Sequence, residues 1–432
     1  MRQYSSNEGE YSMAIKEIEI IQPDYFQQFS CIGPACTDNC CHDWVIAIDK
    51  EHYQQYKAVQ DPKFRELCSH AIKRNKNRNS TLDFGVMHLR AGERCAFQDE
   101  DGGCGIYRLL GPDSLSNTCT FYPRSMREFL PDVWEFSLSL SCIEVARLAL
   151  LSGKPLKLER IRRPYDHSSR SDRFMVAQRQ KRGESITLLN RFQAVRQACL
   201  DLIQLSTIPL PERILAIGLL LRAEDKLMVE KKSEQLPRLA AQYVQMAAEG
   251  NFSSILKKME YNKNTHLWAL VLPASHLMQA ERVEYFFQMW EKLEPLCDGE
   301  NGLYTVGPPA LEFILAQMEE KGDPLLQRHG QIVENYFANY IFGSMFPFTY
   351  PTENQMEYYG VILAEQYALF RILLSFLPKQ EGETEEQQLV HAVVALARIT
   401  QHTDMVKAVR TFGHEKHERT LDTLAHAAYL LR

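Results

Sequence analysis

The chain has 432 residues, of which 45% are hydrophobic and 24% charged, and its formal net charge is -6. That length is more than one hydrophobic core usually covers, so two domains are expected. The charge balance offers no global attraction to nucleic acid or to anionic lipid, and neither is expected as a partner.

Residues 1–22 read as a leader and a first strand. Met1 to Glu10 is polar and lacks an apolar h-region, so it is not read as a secretory signal, and Ala14 to Ile21 is strand-like. Residues 23–153 read as a cysteine-rich metal-cluster domain. Within it, Asp49 is placed to cap a helix over Lys50 to Val59, the first of two short helices between residues 45 and 75. Leu82 to Leu89 and Val133 to Leu140 are short and apolar enough to be strands.

Residues 154–183 form the one strongly basic stretch, with ten Lys or Arg against three acids between Lys154 and Arg182, and read as a solvated linker or a docking strip. From residue 184 to 432 the chain reads as helix after helix. Pro211 leads into the apolar face of Ile214, Leu215, Ile217 and Leu221. Val283 to Leu296 and the segment after Pro308-Pro309 are further helices. Tyr358 to Leu377 has the length of a membrane span, yet Glu365, Gln366 and Arg371 interrupt it, so a buried helix is expected and the default compartment is the cytoplasm. The predicted fold class is mainly α: a loop-rich α+β metal-binding N-terminal domain followed by a large all-helical C-terminal domain.

Nine of the eleven cysteines lie between Cys31 and Cys142. Clustered thiols in a reducing compartment more often hold metal than form disulfides. The candidate ligands are Cys31, Cys36, Cys40, Cys41, Cys95, Cys104, Cys119 and Cys142. Gly33, Pro34, Asp38 and Asn39 are turn formers that curl the first of these into a loop. Thiolates suit an iron–sulfur cluster or zinc, and eight of them serve either two zinc sites or a [4Fe-4S] cluster with structural cysteines left over. Adjacent Cys40 and Cys41 are not expected to bind one iron together. His42 reads as a hydrogen-bond donor beside the ligands, with a ligand role as the alternative. Cys68, Cys199 and Cys297, each alone in a helical pattern, read as buried small hydrophobes.

Further along, Asn335 and Asn339 share one face of a helix at i and i+4, and Tyr336 and Tyr340 share the adjacent stripe. With Glu334 they read either as a tyrosine-rich core helix or as a wall of a ligand pocket.

The combination of Pro23-Asp-Tyr-Phe26, Cys31 to Trp44, Gly105-Ile-Tyr-Arg108, Cys119, Tyr122-Pro-Arg124 and the Glu334 to Pro347 segment resembles the flagellin lysine N-methylase family. The cysteine portion is also similar to the wider group of zinc- or iron-chelating cysteine-cluster proteins. The resemblance implies a cytoplasmic enzyme that methylates the ε-amines of flagellin lysines with S-adenosylmethionine. No glycine-rich strand-to-helix turn of the Rossmann kind is present to bind that donor. The cysteine cluster is therefore the expected donor site, with Tyr107, Arg108, Tyr122 and Arg124 around it, the arginines because their fork matches a carboxylate. Glu334, Asn335, Tyr336, Asn339 and Tyr340 complete the expected cofactor set. The competing expectations are a non-catalytic zinc- or iron-binding interaction module and a metal carrier or redox sensor.

Overall fold

The computed structural model describes residues 17–41, 46–76, 80–89, 94–130, 132–175, 187–252, 254–278, 284–300, 303–347, 357–377, 382–402 and 423–432. The leader up to residue 16, His42, Phe348 and the end of the basic stretch lie outside them. The fold is mostly helical, with a smaller N-terminal region that carries small sheets. The chain divides into two units. The first comprises residues 1–128, 132–145 and 159–183, and the second residues 129–131, 146–158 and 184–432.

In the first unit, four strands form a sheet in the order β5-β6-β1-β7: β1 (Glu17–Pro23), β5 (Arg124–Leu130), β6 (Val133–Leu138) and β7 (Leu158–Pro164). The two inner strands run parallel, with Ile20 opposite Trp134. Ile18, Ile20, Trp134, Phe136 and Leu138 are buried, as inner strands require. Strand β7 comes from the basic stretch expected as a linker. Arg160 and Arg162 alternate with Ile161 and both bond Glu19 on β1, while Arg163 forms a two-pronged pair with buried Asp172. Arg160 and Arg162 nevertheless remain largely exposed to solvent.

A second sheet has the order β2-β4-β3, from β2 (Ile46–Ile48), β3 (Ile72–Arg74) and β4 (Gly85–Met87). It packs with α1 (Lys50–Ala58) and α2 (Pro62–Ala71) around a small core that includes Ile48, Tyr56, Phe64, Ile72 and Phe97. The expected cap is present: Asp49 accepts the His52 N–H at 3.1 Å, and Asp61 caps α2 in the same way at 2.8 Å. Two short helices follow, α3 (Gly105–Leu110) and α4 (Asn117–Phe121), and then α5 (Ile143–Leu150).

The second unit is built from helices, chiefly α6 (Thr187–Ile203), α7 (Leu210–Val229), α8 (Leu236–Ala248), α9 (Pro308–Gln317), α10 (Gly330–Gly343), α11 (Glu357–Ser375), α12 (Glu385–His402) and α13 (Thr423–Leu430). A two-stranded hairpin, β8 (Asp298–Glu300) with β9 (Leu303–Thr305), interrupts them and departs from the all-helical expectation. Helix α11 is mainly apolar and almost wholly buried, with Glu365, Gln366 and Arg371 buried along with it, the condition of a central helix. Among the described residues no helix is long and apolar enough to cross a membrane. Helix α7 meets α11 where Gly218 faces Gly360, and a Cβ at Gly360 would lie 2.5 Å from the Gly218 Cα.

Burial pushes several titratable groups of this core toward their neutral forms, Glu224, Glu365 and His266 among them. Glu224 on α7 is fully buried, with neither carboxyl oxygen hydrogen-bonded among the described residues. Burial, aided by the charge of Asp225, pushes it up to about 8. His266 is buried without a hydrogen-bond partner on either ring nitrogen among the described residues, and burial, with Arg371 and Arg432 adding to it, pulls it down to about 4.

Glu224 and His266 work in opposite directions. The carboxyl with a raised value favours folding below the ordinary value of 4.5 and loses that contribution as pH rises to about 8. The imidazole with a depressed value favours folding above 6.5 and loses its contribution as pH falls toward 4. Denaturant melts across this range should therefore show Glu224→Gln flattening the alkaline decline, with a gain on the order of a few kcal/mol at pH 8. An unchanged slope would mean that Glu224 is ionised in the fold.

Candidate functional site

The sequence-predicted cysteines all lie in the first unit. The loop over residues 31–41 is shaped by a short helical turn, Gly33–Ala35, in which Gly33 has φ 57°, and by Asn39, whose side-chain oxygen accepts the Cys41 N–H at 3.0 Å. Cys142 begins the turn into α5, and Cys119 lies in α4, where its N–H is capped by Ser116 at 3.4 Å. Cys104 sits just before α3, closing a turn in which Gln98 and Cys104 form an isolated bridge. Cys95 bridges Leu89 and donates its N–H to the Cys41 carbonyl at 2.6 Å.

Electrostatic neighbours resolve these thiols into two overlapping groups. Cys36 faces Cys40 and Cys31, and Cys142 faces Cys40 and Cys36. Cys41 faces Cys40, Cys95 and Cys119, and Cys119 faces Cys95, Cys104 and Cys40. Cys40 is the member common to both. Burial raises the Cys142 thiol to about 11. Cys41 is raised further, first by a hydrogen bond with Cys40 and then by burial. Cys119 is exposed at the surface, although desolvation by the surrounding protein pushes its thiol up to about 12. Burial thus disfavours the thiolate form at Cys36, Cys41, Cys119 and Cys142. Among the described residues no group of three or more His, Cys, Asp or Glu side chains could hold a metal ion as the side chains stand. The donor chemistry suits a soft metal centre, but a preformed ligand set is not present.

Around these thiols lie the residues expected to meet a donor. Arg124 stacks on Phe29, with its guanidinium carbon 4.8 Å from the ring centre, donates to the Phe29 carbonyl at 3.3 Å, and interacts electrostatically with Cys31 and Cys142. The Tyr122 hydroxyl lies 3.0 Å from Ser141 Oγ, beside Cys142, and a cis peptide joins Tyr122 to Pro123. Arg108 instead projects from the surface into a two-pronged pair with Asp99, and Tyr107 is exposed.

The structure adds residues that the sequence did not mark as part of this site. Asp49 accepts from His52 Nδ1 at 2.7 Å and from the Asn117 N–H at 2.9 Å, so one carboxylate fastens α1 to the start of α4. Burial acts to raise Asp49, but the hydrogen bonds from His52 and Asn117 outweigh it and hold the carboxyl below its ordinary range. Arg170 completes the brace, donating to Asn117 Oδ1 at 2.9 Å and to the Leu115 carbonyl at 2.7 Å. In sequence, Asp49 shows only as a helix cap and Arg170 only as part of a basic run.

The Glu334 to Tyr340 set lies in the second unit, and its polar groups are committed within that unit. Glu334 accepts from Arg213 at 2.5 Å, both side chains being nearly excluded from solvent. The Asn335 amide donates to the carbonyls of Ala149 and Lys154, and Asn339 donates to the Asn335 carbonyl at 2.8 Å. The Tyr336 hydroxyl donates to Gln366 Oε1 at 2.9 Å, and Tyr340 stacks against Tyr336. Buried polar groups need such partners, and here other parts of the fold provide them.

Comparison with known proteins gives these features a family context. Residues 196–430, more than half of the chain, match the family model of the FliB lysine N-methylase C-terminal domain. The chain is 36% identical over 132 residues to the flagellar biosynthetic protein FliU of Salmonella muenchen, a match covering 30% of this chain and 76% of that relative. It is likewise 36% identical over 132 residues to the lysine-N-methylases of Salmonella typhimurium and Salmonella choleraesuis, and there the match spans 32% of each relative. No solved structure gives a significant match. The chain belongs to the FliB lysine N-methylase family and carries its C-terminal domain over residues 196–430.

Proposed function

We propose that this protein is a protein-lysine methyltransferase that moves a methyl group from S-adenosylmethionine to the ε-amine of lysines on flagellin, in the cytoplasm before the filament is assembled. The observation that carries the reading is the family match over residues 196–430, together with the kinship to proteins named lysine-N-methylase. In the reaction a C–S bond of the sulfonium breaks as an N–C bond to the neutral amine forms. The amine proton leaves to solvent and S-adenosylhomocysteine departs.

The proposed cofactor is a [4Fe-4S] cluster held by cysteines of the first unit, for which Cys31, Cys36, Cys40 and Cys142 are the ligands we favour. Their thiols face one another from two segments, the 31–41 loop and the start of α5. A cluster held by only three of these thiolates would keep one iron open, and it would supply there a Lewis acid for the amino and carboxylate groups of the donor. Arg124 is the residue of this chain we assign to that carboxylate. Phe29 fixes its guanidinium close to Cys31 and Cys142, and a pre-oriented fork holds a carboxylate better than a mobile ammonium does. Tyr122, tethered to Ser141, borders the same group.

The test is incubation of anaerobically purified protein with monomeric flagellin and S-adenosylmethionine, read by intact-protein and peptide mass spectrometry. The reading expects methyl increments on flagellin lysines, and Arg124→Ala should raise the donor concentration needed for half-maximal rate. Flagellin left unmodified by folded, cluster-loaded protein would sink it.

A further inference from the structure

The methyl transfer proposed above needs the lysine nitrogen as a neutral amine, whereas a lysine side chain in water is an ammonium with an ordinary value of about 10.4. One proton has to leave before the nitrogen can attack, and the first unit holds a row of three hydroxyls beside Cys142. We propose that Tyr122, Ser141 and Ser139 form the outlet for that proton, with Tyr122 the residue that takes it from the substrate; the inference rests on the methyltransferase reading.

The three oxygens stand in sequence at hydrogen-bond distance. The Tyr122 hydroxyl lies 3.0 Å from Ser141 Oγ, and Ser141 Oγ lies 2.6 Å from Ser139 Oγ. Ser141 is buried, while Tyr122 and Ser139 are half-buried, so the row runs from one partly accessible hydroxyl through an enclosed one to another. Backbone bonds hold it in place. The Ser139 N–H donates to the Pro123 carbonyl at 2.9 Å, which ties the turn after β6 to the segment that carries Tyr122. Within the turn, the Ser141 N–H donates to Ser139 Oγ and the Cys142 N–H to the Ser139 carbonyl, both at 3.2 Å. Cys142 follows Ser141 directly and faces Cys40 and Cys36, and Arg124, two residues after Tyr122, interacts with Cys31 and Cys142. The head of the row therefore stands beside the thiols to which the donor is assigned.

The order of the three residues suits the step. A phenol and a lysine ammonium have ordinary values of about 10 and about 10.4, so a proton passes between them without a large uphill cost, and an alkyl hydroxyl is a much weaker acid. As one N–H bond of the ammonium breaks, the Tyr122 oxygen takes that proton and passes its own to Ser141. Ser141 passes its own to Ser139, and Ser139 releases one to water. Each hydroxyl ends with the proton it needs, and the lysine is left as the neutral amine with its lone pair available to the methyl group.

The rate of flagellin methylation by the anaerobically purified full chain, followed against pH, tests this. Tyr122→Phe keeps the ring and should lower kcat at pH 7 about 10²-fold with the KM for the donor unchanged, and Ser141→Ala should do the same. The variants then depend on amine that is already neutral in solution, so their rates should climb about tenfold per pH unit and the deficit should close as pH nears about 10. A residue that merely shapes the site would lower the rate by the same factor at every pH. Melting temperature and iron content equal to those of wild type show that fold and metal are intact; should either variant lose them, Ser139→Ala carries the same expectation. Wild-type rates in folded Tyr122→Phe, or a deficit that does not change with pH, overturn the inference and leave the methyltransferase reading standing. Flagellin left unmethylated by wild type at every pH overturns both.

Discussion

Replacing Glu334 by alanine should destabilise the helical unit by about 3–5 kcal/mol, because it leaves the Arg213 guanidinium buried without its counter-charge. Arg213 is pinned in place by its bonds to the carbonyls of Ile203 and Ile208, both at 2.7 Å, so it has little freedom to turn toward water. Breaking a buried pair from one side costs far more than the pair itself contributes, since the remaining charge keeps its desolvation penalty. Glu334→Gln, which retains an acceptor and drops the charge, should fall between wild type and Glu334→Ala in urea denaturation. The same series distinguishes two roles for this helix. If Glu334 only holds α7 and α10 together, the folded fraction of Glu334→Gln binds S-adenosylmethionine as wild type does. A loss of donor affinity at full stability would instead make Glu334 a ligand of the donor.

The second large effect is expected at Gly360. A methyl group there would lie 2.5 Å from the Gly218 Cα, and the obstacle is backbone, so no side chain can rotate out of the way. Gly360→Ala must push α11 off α7, and because α11 is buried along nearly its whole length the strain reaches the centre of the unit. Overpacking of this kind costs about 3 kcal/mol or more, equivalent to a melting temperature lower on the order of 10 °C for a unit of this size. Alanine is a better helix former than glycine, so intrinsic propensity alone favours the opposite outcome by about 1 kcal/mol. A Gly360→Ala protein at least as stable as wild type would show that the helices are not in backbone contact.

Parts of this architecture were legible in the sequence because the cause was local. Asp49 announced a helix start since its carboxylate serves the N–H three residues on, and in α11 the polar Glu365, Gln366 and Arg371 within a long apolar run pointed to a buried helix instead of a membrane span. Strand β7 was missed because its arginines resemble a solvated run; their partner Glu19 lies far away in the sequence, and only the alternation of Arg160 and Arg162 about Ile161 hinted at a strand. The β8–β9 hairpin has too short a pattern to stand out among helices.

At the candidate site the residue types were legible and the grouping was not. Spacing alone could not reveal that Cys41 lies against Cys95, because a hydrogen bond between distant segments brings them together. Nor could it separate Arg124, held beside the thiols by Phe29, from Arg108, which the sequence presents in a similar tyrosine–arginine setting and which the fold turns outward to Asp99.

The measurement that reaches the central claim most directly is iron and acid-labile sulfide analysis of the anaerobically purified chain, with EPR of the reduced protein before and after S-adenosylmethionine is added. The account predicts about four irons and about four sulfides per chain and a reduced-state signal that changes with the donor. Stoichiometric zinc without iron, or an iron signal indifferent to S-adenosylmethionine, would contradict it and make the thiols of the first unit structural.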